Sequence, residues 1–110
     1  MKEENKLIAE FMGYETYEHT NSIAIRLLEE NEFNSIDIGH VHTKFHTSWD
    51  WLMPVVEKVE GLNFSIEMNK QEEGDYQCLI IKKDILVQTF SNNKIESVYN
   101  ALINFISHER

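Results

Sequence analysis

The chain holds one cysteine, one proline and four glycines in 110 residues, ten basic side chains against nineteen acidic ones, and no apolar run of membrane-spanning length. Cys78 has no partner for an internal disulfide, so the fold rests on a core rather than on cross-links. Its place in the run Cys78-Leu79-Ile80-Ile81 reads as a small buried thiol in a reducing compartment. The glycines are scattered at 13, 39, 61 and 74, which leaves no glycine-rich loop to cradle a phosphate. The deficit of basic residues gives a net charge of −9 and is uneven, with 12 acids to 5 bases over residues 1–60 and 7 to 5 over residues 61–110. A field of that sign repels phosphate backbones and argues against nonspecific nucleic-acid binding. It suits basic or neutral partners, or simply a solvated surface. The acidic start lacks the basic head and apolar core of a signal peptide, so a cytoplasmic protein with no membrane attachment is expected.

What is present is enough apolar material, 42% of residues, for one ordinary core. The organising stretch runs from Phe45 to Glu60 and contains both tryptophans and the proline. On a helical projection Trp49, Trp51, Leu52, Met53, Val55, Val56 and Val59 cover more than half the circumference, leaving Asp50, Pro54, Glu57 and Lys58 for water. That arc is wider than one sheet face needs. Such a helix is either wedged between layers or keeps a spare edge near Trp49 or Trp51 for a ligand or partner. Thr47 and Ser48 ask for an early helix start, whereas Pro54 disfavours one. The resolution expected is a tight first turn over 48–51, with regular helix resuming near Pro54.

Around this stretch the pattern predicts a helix over Glu3–Met12, with Leu7, Ile8, Phe11 and Met12 on one face and Gly13 as its stop. From Tyr14 to Lys44 the signal is ambiguous between helix and strand. Ile23, Ile25 and Leu27 alternate, residues 29–34 read as a solvated turn, and Ile36, Ile38 and Val41 form a second extended piece, together a hairpin-like insertion. Strict alternation over Leu62–Asn69 marks a strand with one wet face. Residues 76–82 form a central strand covered on both faces, and Ile85–Phe90 closes the set after a reversal at Lys82-Lys83-Asp84. Asn93 with Glu96 resembles a capping box opening a helix. Ile95, Val98, Tyr99, Leu102, Ile103, Phe105 and Ile106 face the sheet, with Glu96, Ser97, Asn100, Asn104 and Ser107 opposite. The fold class is therefore α+β, a three-stranded antiparallel meander covered by helices. It forms one domain over residues 1–110, with a variable insertion at about 15–44.

The candidate chemistry is sparse. His40, His42 and His46, with Asp37 and Asp50 nearby, are residue types that bind zinc or iron. Yet His40 and His42 share a face only on a strand, and His42 and His46 only on a helix, so a shared metal needs a loop. His46, Ser48 and Asp50 stand too close in sequence for a catalytic relay. For an anionic ligand the candidates are Arg26, Lys44, His46, Lys82 and Lys83, with Trp49 or Trp51 supplying an aromatic face.

The segment Phe45-His-Thr-Ser-Trp-Asp-Trp-Leu-Met-Pro-Val-Val-Glu-Lys-Val59 resembles the signature of the phage ABA-sandwich proteins, a family of small phage and prophage proteins. The likeness extends to Asn5-Lys-Leu-Ile-Ala-Glu-Phe-Met-Gly13 and Val98-Tyr-Asn-Ala-Leu-Ile-Asn-Phe-Ile106, and leaves out residues 15–44. It implies a helix, sheet, helix arrangement and a phage-related origin, but no reaction and no catalytic residue set. The function expected on that basis is a non-enzymatic accessory protein acting by binding, with counter-defence as its setting. Its partner would be a small signalling nucleotide, which it sequesters, or a host defence protein, which it blocks. No cofactor is expected. The alternatives are a metal-dependent hydrolase built on His40, His42 and His46, and an assembly factor of the phage particle. The surplus apolar arc of the 45–60 helix, with the broad face of the C-terminal helix, points to a homo-oligomer.

Overall fold

The computed structural model describes residues 2–18, 22–30, 35–71 and 74–109, with the side chains of 26–41 and 109 outside the description. The chain forms two compact units, residues 1–43 and 44–110. The strands expected as an insertion thus share a unit with the N-terminal helix.

In the first unit, α1 (Lys2–Met12) is followed by β1 (Thr16–Glu18), β2 (Ile23–Glu30) and β3 (Ser35–His42). Helix α1 buries Asn5, Ile8 and Ala9, while Leu7, Phe11 and Met12 are only half-buried. The buried stripe is therefore rotated from the expected one, toward side chains small enough for close approach. The helix stops at Gly13, where φ is +85°. The Gly13 N–H donates to the Glu10 carbonyl and the Tyr14 N–H to the Ala9 carbonyl, both at 3.0 Å. This paired closure requires a left-handed residue, which glycine adopts without a Cβ penalty. Beside it, Lys6 reaches Glu18 at 2.9 Å, tying α1 to β1 across the surface.

The ambiguity over residues 14–44 resolves to an antiparallel sheet in the order β1-β2-β3. β2 and β3 each run eight residues, longer than the short pieces expected, and Glu29 and Glu30 belong to β2 rather than to the turn. Their register sets Arg26 opposite His40 and Ala24 opposite His42, with a shift between Leu27 and Leu28. Residues 31–34, expected as part of a solvated turn, lie outside the described residues. Ile23, Ala24 and Ile25 are buried, and Thr43 closes the hairpin by donating its N–H and its hydroxyl to the Ile23 carbonyl.

The second unit contains α2 (Trp49–Gly61), β4 (Ser65–Lys70), β5 (Tyr76–Ile81), β6 (Ile85–Ser91) and α3 (Lys94–Glu109). The strands form the antiparallel meander expected from sequence, in the order β4-β5-β6, and α2 and α3 cover it. Alternation places Ile66, Met68, Cys78, Ile80, Val87 and Thr89 on the face that the helices cover. Cys78 and Ile80 are fully buried, and α3 contributes Val98, Tyr99, Ala101, Leu102, Phe105 and Ile106 against them. Burial pushes the Cys78 thiol up to about 11.

Three local expectations are corrected. Helix α2 is continuous, with Pro54 inside it rather than at a restart. The carbonyl that loses its intrahelical donor there belongs to Asp50, an exposed residue in the first turn. Strand β4 starts at Ser65, not Leu62. Leu62 closes the helix with its N–H on the Val59 carbonyl and is 47% exposed, and Asn63 takes the left-handed turn at φ 72°. Ser97, expected on the wet side of α3, is 1% exposed. Its hydroxyl donates to the Lys94 carbonyl at 2.7 Å, and its own carbonyl accepts from the Thr89 hydroxyl at 2.6 Å, so its polar groups are satisfied within the core. The Asn93 cap is present, its side-chain oxygen accepting from the Glu96 N–H at 3.2 Å.

Candidate functional site

The two tryptophans are two positions apart, about 200° around the helix, so they cannot serve the same surface. Residues 44–48 decide which does what. The Thr47 and Ser48 N–H groups both donate to the Lys44 carbonyl, at 3.1 and 2.9 Å, which folds the chain tightly ahead of α2 and sinks Phe45 into the core. Trp51 meets Phe45 edge to face, with ring centroids 5.3 Å apart at 89°. Trp51, itself half-buried, braces the start of the helix against that ring. Trp49, turned the other way, is half-buried and lines an open hollow.

The hollow has a volume of about 310 Å³ and is lined by Trp49, Met53, Met68 and Lys94. Met53 lies one helical turn after Trp49 and so continues its stripe; it is 38% exposed. Met68 rises from β4 on the helix-covered face. Lys94 is the first residue of α3, positioned there by the Asn93 cap and by the Asn93 N–H donating to the Ser91 hydroxyl at 3.2 Å. An indole and two polarisable thioethers make a surface suited to a flat ring, and the ammonium at its rim suits a negative charge.

The other candidates are placed as follows. Lys82 holds its ammonium 5.1 Å from the centroid of the Phe64 ring, which itself stacks edge-on to Phe105 at 4.8 Å. Lys83 is exposed in the turn between β5 and β6, and Lys44 is exposed after β3. The His46 ring lies 6.2 Å from that of Tyr99 in an edge-type pair. His42 Nδ1 is 2.9 Å from the Ser22 hydroxyl oxygen. The side chains of Arg26, Asp37 and His40 lie outside the described residues. Among the described residues no group of three or more His, Cys, Asp or Glu is arranged to hold a metal. Of the described candidates read from sequence, then, the hollow takes Trp49. Met53, Met68 and Lys94 join it. Met53 was legible from its helical spacing to Trp49, but Met68 and Lys94 arrive only through strand and helix packing.

Among the described residues, fold and site together give an α+β protein with an open hollow of small-molecule size, lined from α2, β4 and the start of α3. No protein-family model matches the chain, and no curated protein or solved structure does. Among the described residues no helix is long and apolar enough to cross a membrane.

Proposed function

We propose that this protein acts by binding, and that it sequesters a planar, anionic small molecule of the nucleotide class in the hollow formed by Trp49, Met53, Met68 and Lys94. The observation that carries the reading is the lining, in which one indole and two thioethers offer stacking surface and one ammonium offers a charge. The volume of about 310 Å³ lies at the small end of ligand pockets and suits a single base and sugar with a phosphate at the rim. The net charge of −9 weakens the hold on a polyphosphate or a long strand, which favours a ligand with few charges. The resemblance to small phage proteins supplies the setting we propose: counter-defence in the host cytoplasm by removal of a signalling nucleotide. Assembly with further copies of the chain is part of the same proposal.

A Trp51→Phe variant leaves Trp49 as the sole indole, so its fluorescence reports the hollow directly. Titration with adenosine and guanosine monophosphates and with a cyclic dinucleotide is expected to give saturable quenching with at least one of them. Lys94→Glu is expected to weaken that binding by about tenfold, the effect of reversing one rim charge. Ligand recovered after denaturation is expected unchanged. Absence of saturable quenching with all three into the millimolar range, or recovery of a chemically altered product, would refute sequestration.

A further inference from the structure

The side chains lining the hollow can hold a ring but have almost no means of reading its edge. Trp49 and Met53 stand one turn apart on α2, Met68 comes from β4, and Lys94 opens α3. Among the described residues of the lining there is no Asn, Gln, Arg, Asp or Glu, the types whose paired donors or acceptors tell one base edge from another. Trp49 carries a donor, but its N–H lies in the plane of the indole, out of line with a ring stacked on the indole face. A thioether sulfur is a weak acceptor, open alike to the exocyclic amino groups of adenine and guanine. Lys94 has a single ammonium, and that charge is already engaged by the ligand's phosphate. The hollow is also open, with Met53 in its wall 38% exposed. The edge atoms of a bound ring therefore keep their water, and neither purine is penalised for polar groups left unpaired.

We infer that the hollow recognises a nucleotide by the face of its ring and by its phosphate, and is blind to the edge of the base. It takes adenine and guanine nucleotides alike and prefers both to pyrimidine nucleotides. The inference rests on the proposed function and specifies the ligand class of that same site. Stacking on an aromatic face is open to every base, and it strengthens with the area of overlap, which is larger for a two-ring purine than for a one-ring pyrimidine. The charge met by Lys94 is common to all of them. A site that reads edges hydrogen-bonds the correct base and leaves its own buried polar groups unpaired with the wrong one, which is how large discrimination arises. The lining described here has no such group to leave unpaired. The protein therefore withdraws purine nucleotides as a class, and a change of purine in the signal gives no escape from it.

The test is isothermal titration calorimetry of the full wild-type chain with adenosine, guanosine, cytidine and uridine monophosphates at one salt concentration. The two purine compounds are expected to bind within about threefold of each other, and the two pyrimidine compounds about fivefold more weakly. Trp49→Leu is expected to weaken all four and to bring purines and pyrimidines within about twofold, whereas Trp49→Phe, which keeps an aromatic face, retains the purine preference. Lys94→Glu is expected to weaken the adenosine and guanosine compounds by the same factor, because it acts through the phosphate. A wider gap between adenosine and guanosine monophosphates overturns edge-blind recognition and leaves sequestration standing. So does a loss under Lys94→Glu confined to the guanosine compound, or pyrimidines bound as tightly as purines. If none of the four binds into the millimolar range, sequestration itself fails, and this inference fails with it.

Discussion

Trp51 is the residue whose removal most directly tests how this chain is built around the 45–60 stretch. Its ring is half-buried and stands edge-on to Phe45, which is 1% exposed, at a centroid distance of 5.3 Å. Full burial of a large aromatic is lost at roughly 3–5 kcal/mol on truncation to alanine. Half-burial takes Trp51 to the low end of that range, and the edge-to-face pair adds about 1 kcal/mol. Trp51→Ala is therefore expected to cost about 3 kcal/mol, and Trp51→Phe, which keeps an edge contact, about 1 kcal/mol. Urea unfolding followed by Trp49 fluorescence reads this directly. For a slope of about 1.5 kcal/mol per molar urea, the midpoint of the alanine variant falls by about 2 M with the slope unchanged. A double-mutant cycle with Phe45→Leu isolates the ring pair, with a coupling of about 1 kcal/mol expected. A cost below about 1 kcal/mol for Trp51→Ala, or a coupling below about 0.3 kcal/mol, would mean that Trp51 is not the brace and that the division of labour between the two tryptophans is wrong.

Two residues in the core of 44–110 give further tests. Cys78 is fully buried and its thiol is pushed up to about 11 from 9.0, so native and unfolded chains both hold the proton below pH 9. Between pH 9 and 11 the unfolded thiol ionises first and stability falls, a slope expected to be smaller in Cys78→Ala. Maleimide labelling at pH 8 is expected to follow the unfolding rate; rapid labelling of the folded protein would contradict the burial. Thr89→Val removes the hydroxyl that donates to the Ser97 carbonyl at 2.6 Å while keeping the side chain's shape, and is expected to cost about 1 kcal/mol in chemical denaturation. An unchanged midpoint would mean that this bond adds nothing to the docking of α3 on β6.

The sequence by itself determined the elements whose signal is local and repeated. Alternation over residues 62–69 marked a strand with one covered face, realised over Ser65–Lys70, because side-chain direction in a strand repeats every second residue, and the unbroken run at Cys78–Ile81 marked the central strand. Asn93 and Gly13 marked their helix ends because capping and left-handed turns depend on one residue's chemistry. The region from 14 to 44 was less legible, since Ile23, Ile25 and Leu27 fit an extended spacing while Ile23, Leu27 and Leu28 fit a helical one. Only pairing with β1 on one side and β3 on the other selects between them. Pro54 likewise read as a break, yet α2 continues through it, with the residue whose carbonyl it deprives, Asp50, on the exposed side of the helix. The hollow shows the same division. The 200° between Trp49 and Trp51 required that they serve different surfaces, but which one braces and which one faces out was decided by the burial of Phe45. Met68 and Lys94, 19 and 45 positions after Trp49, reach it only because β4 and the start of α3 pack beside the start of α2. Helical and strand periods carry information over a few residues. Which distant side chains meet is set by how the layers pack, and no single segment encodes that.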